Sequence, residues 1–154
     1  MRKTLLFFSI LFLSSSCLFI IAQSKSKNFG SKTVVFNQNV NLPLNSFEKE
    51  ILKNVYRESL KENVLDKPER LKSIKNIIRN RVEVITMSNY PKDYQLLSQV
   101  PLFDKYNTTL KREKFSLSKF NPFKYNFDFY AKQTQVVRVD NTDYYIVIKS
   151  QHQK

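Results

Sequence analysis

Between residues 123 and 130 the chain reads Phe123-Lys124-Tyr125-Asn126-Phe127-Asp128-Phe129-Tyr130, aromatic at every odd position and mostly polar at the even ones. A two-residue period predicts a strand with one buried face. Two further runs, 134–139 and 144–149, are rich in β-branched and aromatic residues. Asp140-Asn141-Thr142-Asp143, a turn-forming cluster, separates them and predicts a hairpin. Setting Val139 opposite Tyr144 brings Val137 opposite Ile146 and Gln135 opposite Ile148 on one apolar face, with Arg138, Tyr145 and Lys149 on the other. A slip of one residue mixes the valines with Asp143. Like charges paired across a tight turn are unfavourable, so a four-residue loop is expected.

Upstream the period becomes helical. Ile51, Leu52, Val55, Tyr56 and Leu60 share one side of a helix expected from Phe47 to about Val64, with Asn45 as its cap and Glu48 at capping-box spacing. Glu50, Lys53, Arg57, Glu58 and Lys61 occupy the other side with mixed signs, which reads as an ordinary solvated face. Asp66 and Pro68 mark the start of a second helix, with Leu71, Ile74, Ile77 and Ile78 as its apolar stripe. Lys72, Lys75 and Arg79 form a basic stripe beside it without acidic partners in the same turns. The residues after it, Arg81-Val82-Glu83-Val84-Ile85-Thr86-Met87, alternate as a strand does. The segment 88–107, with Pro91 and Pro101, is the least regular; Tyr94 to Leu97 suggests one helical turn, and Val100 to Phe103 an extended apolar piece that something must cover.

The first residues read differently. Arg2 and Lys3 precede an apolar run, 5–13, and Ala22 lies before Gln23, so residues 1–22 are expected to be a signal peptide. An uncleaved anchor over residues 4–22 and lipidation at Cys17 are the alternatives. Residues 23–32, which include the single glycine, Gly30, read as a flexible leader, and Thr33-Val34-Val35-Phe36 as a short edge strand.

Composition then narrows the chemistry. The 154 residues allow one small domain after the signal. Cleavage after Ala22 removes the only cysteine, which leaves no disulfide, thiol catalysis or thiolate metal site. It also removes Arg2 and Lys3, leaving 24 bases against 13 acids, a charge of +11. That balance fits either a solvated surface or an anionic partner at the cell envelope, such as lipid head groups or polysaccharide. The single histidine, His152, lies in the tail at 151–154, which excludes Ser–His–Asp and Cys–His arrangements, and one glycine excludes a glycine-rich phosphate loop. Glu83, Asp128, Asp140 and Asp143 are the carboxylates on or beside expected strands, with nothing local to pair them. Lys111, Arg112, Lys114 and Lys119 interleave with Phe115, Leu117 and Phe120, a pattern able to stack bases, although export makes nucleic acid a poor target. Asn107-Thr108-Thr109 is a glycosylation sequon, meaningful only in a eukaryotic secretory pathway.

The run from Phe120-Asn121-Pro122 through Tyr130, followed by Val137-Arg138-Val139-Asp140-Asn141-Thr142-Asp143-Tyr144, resembles the ending of small exported proteins of flavobacterial type, as does a signal ending in Ala22-Gln23. The resemblance implies a bacterial envelope location, periplasmic or extracellular, and carries no activity or site residues with it.

Together these readings predict an α+β domain over residues 33–150, with two N-terminal helices packed on one face of a mostly antiparallel sheet of four to five strands. The expected role is non-enzymatic binding at the envelope, with Lys72, Lys75, Arg79, Lys111, Arg112 and Lys114 as the anion-binding residues and no cofactor, metal or catalytic residue. The competing expectations are a small carboxylate-dependent hydrolase and a structural subunit that docks an aromatic sheet face on a protein partner.

Overall fold

The computed structural model describes residues 38–88 and 93–152, so the expected signal peptide, leader and strand at 33–36 lie outside the described residues. Helix α1 (Ser46–Tyr56) starts where the capping box places it: Asn45 Oδ1 accepts from the Glu48 N–H at 2.8 Å, and Glu48 Oε2 accepts from the Asn45 N–H at 2.9 Å. Its buried stripe is Ile51, Leu52, Val55 and Tyr56. The helix ends earlier than the periodicity predicts. Arg57 adopts φ 49° and ψ −133°, in the region that favours glycine, and breaks the α-helical ladder. A tight turn (Arg57–Ser59) and a wide one (Lys61–Leu65) follow, yet Leu60 and Val64 still reach the core shared by Val55. Apolar spacing records which side chains are buried and is blind to such a break.

Helix α2 (Pro68–Asn76) carries Pro68 in its first turn, where the missing N–H costs nothing. Lys67 stands at its cap without a side-chain bond, so Asp66 is not the cap it was expected to be. A wide turn (Ile77–Arg81) then feeds strand β1 (Val82–Thr86).

The sheet has three antiparallel strands among the described residues, fewer than the four or five expected, in the order β1–β3–β2. Strand β2 (Gln135–Arg138) pairs with β3 (Tyr144–Ile148) in the register read from the apolar face: Val137 opposite Ile146 and Gln135 opposite Ile148. The Val139 N–H donates to the Tyr144 carbonyl at 2.9 Å and closes a loop of the four residues 140–143, in which Asn141 takes φ 54°. On the other side of β3, β1 pairs Val82 with Ile148 and Val84 with Ile146.

The aromatic run is not a strand of this sheet. Pro122–Lys124 is a tight turn capped by Asn121, whose side-chain amide also donates to the Ile51 carbonyl of α1 at 2.8 Å. From Tyr125 the chain is extended and pairs with the segment 101–103 outside the sheet, the Asn126 N–H donating to the Pro101 carbonyl at 2.8 Å and the Phe103 N–H to the Lys124 carbonyl at 2.9 Å. The run acts as a strap. Tyr125 and Phe127 join Leu97, Val100, Val137, Val139, Ile146 and Ile148 in a core that covers the sheet. Alternation reports one buried face, and a strap laid over a sheet meets that condition as well as a strand within it.

That arrangement also corrects the expected place of the helices. Their buried residues form a separate cluster of Leu52, Val55, Tyr56, Leu60, Val64, Ile74 and Ile77 around Phe123, while the sheet core takes its cover from the strap. Val82 and Phe129 border both clusters. Arg81, only 1% exposed, links the two halves: its guanidinium donates to the Lys149 carbonyl at 2.9 Å and the Phe129 carbonyl at 2.5 Å. Burial pulls its pKa below the usual arginine value. Among the described residues no helix is long and apolar enough to cross a membrane.

Candidate functional site

The six expected anion-binding residues separate into two kinds. Arg79 holds Glu48 of α1 at 2.6 Å through both Nε and Nη2, and its guanidinium also donates to the carbonyls of Asn39, Leu42 and Pro43. Lys75 is buried and its Nζ donates to the Leu42 carbonyl at 3.0 Å. Arg112 donates to the Leu97 carbonyl at 2.9 Å and to the Val100 carbonyl, with Cζ 5.8 Å from the Tyr125 ring centre. These three spend their donors on the protein's own backbone and carboxylate. Lys72, Lys111 and Lys114 are exposed. The structure therefore does not gather the six into one face.

It gathers other cations instead. Lys53 on the last turn of α1, Arg57 at the break and Lys61 in the turn beyond it line an open groove of about 470 Å³ together with Glu58, Leu60 and Leu65. The volume falls within the range of small-molecule sites. Three cations and one carboxylate line it beside two leucines, of which Leu60 is buried and Leu65 is 41% exposed. Among the described residues the ion pairs are Arg79–Glu48, Lys124–Glu113 and Lys149–Glu83, so none of the groove's cations is neutralised by a carboxylate contact.

The local sequence explains the convergence. An uninterrupted helix places residues four apart on one stripe. At the break the Arg57 carbonyl accepts a tighter bond, from the Leu60 N–H three residues on, while the Arg57 N–H still donates to the Lys53 carbonyl. Arg57 Nη2 lies 3.4 Å from Thr109 Oγ1, which sets the chain just before Lys111 against the groove. Holding a non-glycine residue at this φ and ψ costs on the order of 1–3 kcal/mol, a strain that concentrates at functional sites. The mixed-sign pattern of Lys53, Arg57, Glu58 and Lys61 hid the groove from sequence reading. No signal in the chain marks Arg57 for a positive φ.

The carboxylates do not form an acid/base pair in contact. Glu83 pairs with Lys149, Asp128 Oδ1 accepts from the Tyr130 N–H at 3.0 Å, and Asp140 accepts from the Ser98 N–H at 3.0 Å and from the Ser98 hydroxyl. Partial burial raises the Asp140 pKa, but the two Ser98 bonds together with the Asp140 backbone N–H and the nearby Arg112 charge outweigh it, and the net shift is downward. No group of three or more His, Cys, Asp or Glu suited to a metal ion occurs among the described residues. Asn107 of the sequon is buried, with its amide donating to the Asn54 carbonyl at 2.6 Å and its Oδ1 accepting from Thr109. Comparison of the chain with family models, curated proteins and solved structures returns no match.

Proposed function

We propose that the protein is an exported envelope protein that binds a phosphate-bearing amphiphile, with the groove at Lys53, Arg57 and Lys61 as the site. The observation that carries this reading is the convergence of three cations without carboxylate contacts on an open groove whose lining also includes two leucines. Ammonium and guanidinium groups favour phosphate, and Arg57 adds a planar fork suited to two of its oxygens. The adjacent apolar surface, including half-exposed Leu65, suits the first methylenes of a lipid rather than a free polyanion. Lys72, Lys111 and Lys114 remain exposed and add long-range attraction to an anionic surface.

The test is co-sedimentation of the purified protein with vesicles of an acidic phospholipid and of a zwitterionic one, at about 50 mM and about 500 mM salt. Binding to acidic vesicles that weakens with salt is expected. Each base near an anionic surface contributes about 1 kcal/mol, so Lys53→Glu with Lys61→Glu weakens binding by roughly tenfold or more, while Lys75→Met, away from the groove, does not. Equal binding to both vesicle types, or indifference to the double reversal, would refute the assignment.

A further inference from the structure

Among the described residues the large apolar side chains that stand exposed are Leu42, Phe47, Leu65, Leu117 and Tyr130. A single exposed apolar residue is ordinary, so its surroundings decide whether it signifies anything. The next charged residue after Leu42 and Phe47 is Glu48, Leu65 lies between Glu62 and Asp66, and Tyr130 follows Asp128. Leu117, 55% exposed, differs from these: its nearest charged residues in sequence are cations on both sides, Lys114 and Lys119.

The fold holds this leucine outward. Leu117–Lys119 is a tight turn, closed by the Lys119 N–H donating to the Ser116 carbonyl at 3.1 Å. Its flanks are anchored, because the Phe115 ring lies 5.6 Å from that of Phe120 and 5.5 Å from that of Tyr144, and all three rings pack against the core that covers the sheet. Further back, Arg112 is tied to the carbonyls of Leu97 and Val100. With Phe115 and Phe120 turned in, Leu117 is left in solvent.

Charge along this segment is one-sided. Lys111, Lys114 and Lys119 are exposed and belong to none of the ion pairs among the described residues, while the one acid of residues 110–119, Glu113, is held by Lys124 at 3.2 Å. An exposed leucine on a turn flanked by ammonium groups complements an acidic bilayer: the leucine enters the boundary of head groups and acyl chains, and the lysines meet the phosphates. A free polyanion would use the cations and leave the leucine in water. The segment also starts beside the groove, since Thr109 Oγ1 lies 3.4 Å from Arg57 Nη2.

We infer that the Leu117 turn is a second membrane contact, one that inserts into an acidic phospholipid bilayer. This rests on the reading of the partner as an acidic amphiphile, and not on Lys53, Arg57 or Lys61 as its site.

The chain contains no tryptophan, so Leu117→Trp and Leu42→Trp each provide a single indole reporter. Each protein is mixed with vesicles of an acidic phospholipid and of a zwitterionic one, and emission and sedimentation are read on the same samples. The emission of Leu117→Trp is expected to move to shorter wavelength, and to be quenched by brominated acyl chains, with acidic vesicles only; that of Leu42→Trp should stay as it is in buffer. Leu117→Ser, which leaves the charge unchanged, is expected to lower partition onto acidic vesicles by about tenfold or more. Sedimentation with acidic vesicles but no emission shift at position 117 would overturn the insertion and leave the groove reading standing, whereas no sedimentation at all would remove both. Equal shifts at positions 117 and 42 would overturn it as unoriented adsorption. Full partition by Leu117→Ser would do the same, since attachment by charge alone is how an acidic polysaccharide would be held.

Discussion

Glu48 and Arg79, 31 residues apart in sequence, meet in a two-point ion pair with Oε1 2.6 Å from Nε and Oε2 2.6 Å from Nη2. The Glu48 side chain is 4% exposed and that of Arg79 12% exposed, and the same carboxylate caps α1 through the Asn45 N–H. One carboxylate thus joins the start of α1 to the turn before β1, and the arginine ties both to the carbonyls of residues 39–43.

The pair makes stability depend on acid. The Arg79 hydrogen bond, against an opposing effect of burial, holds the Glu48 carboxyl below its usual value of 4.5. A depressed carboxylate pKa contributes stability that is present above the unfolded pKa and lost as pH falls through the folded one. The gap in unfolding free energy between the natural protein and Glu48→Gln should stay constant from pH 7 to about 5 and narrow below about 4.5. At pH 7 the gap should be about 3–5 kcal/mol, because Arg79 is left buried without its partner. Denaturant titrations across that range measure both, and a gap that holds down to pH 3 would contradict the linkage.

Arg57 gives the opposite sign. Glycine accepts φ 49° and ψ −133° without strain, and the gain exceeds glycine's extra unfolded-state entropy. Arg57→Gly is therefore expected to raise stability by about 0.5–1 kcal/mol while weakening binding to acidic vesicles. Thermal unfolding reads the first effect and sedimentation the second.

Asn107 is expected to be a stability residue. Replacing it with alanine strands the Asn54 carbonyl and frees the Thr109 loop, at a cost of about 1–3 kcal/mol. Loss of the Thr109–Arg57 contact should accompany it, so vesicle binding by Asn107→Ala should weaken by less than that of the Lys53 and Lys61 reversal.

Arg81 tests the joint between the two cores. Its fork spans the carbonyls of Lys149 and Phe129, and the single ammonium of Arg81→Lys reaches one of them at most. The expected loss is about 1–3 kcal/mol in chemical denaturation at pH 7, with the strap at Phe129 gaining exchange ahead of β3.

Where a local rule is sufficient, the residues told the structure directly. The capping box at Asn45 and Glu48, the proline start of α2, the strand at 82–86 and the hairpin register with its four-residue loop each follow from neighbours in sequence or from a face that a one-residue slip destroys. The aromatic run shows the limit of that logic. Its alternation correctly announced burial at Tyr125 and Phe127, but whether an extended segment lies within a sheet or across it depends on which backbone sits beside it, and that is settled by distant residues. The charges show it more sharply. Lys75, Arg79 and Arg112 look like free cations because their partners are carbonyls, or a carboxylate, more than ten residues away, and carbonyls leave no mark in an amino-acid sequence. Arg57, in the lining of the groove, takes a backbone conformation that favours glycine, and no neighbour in sequence announces it. A conformation imposed by packing against local preference is decided only in the tertiary structure.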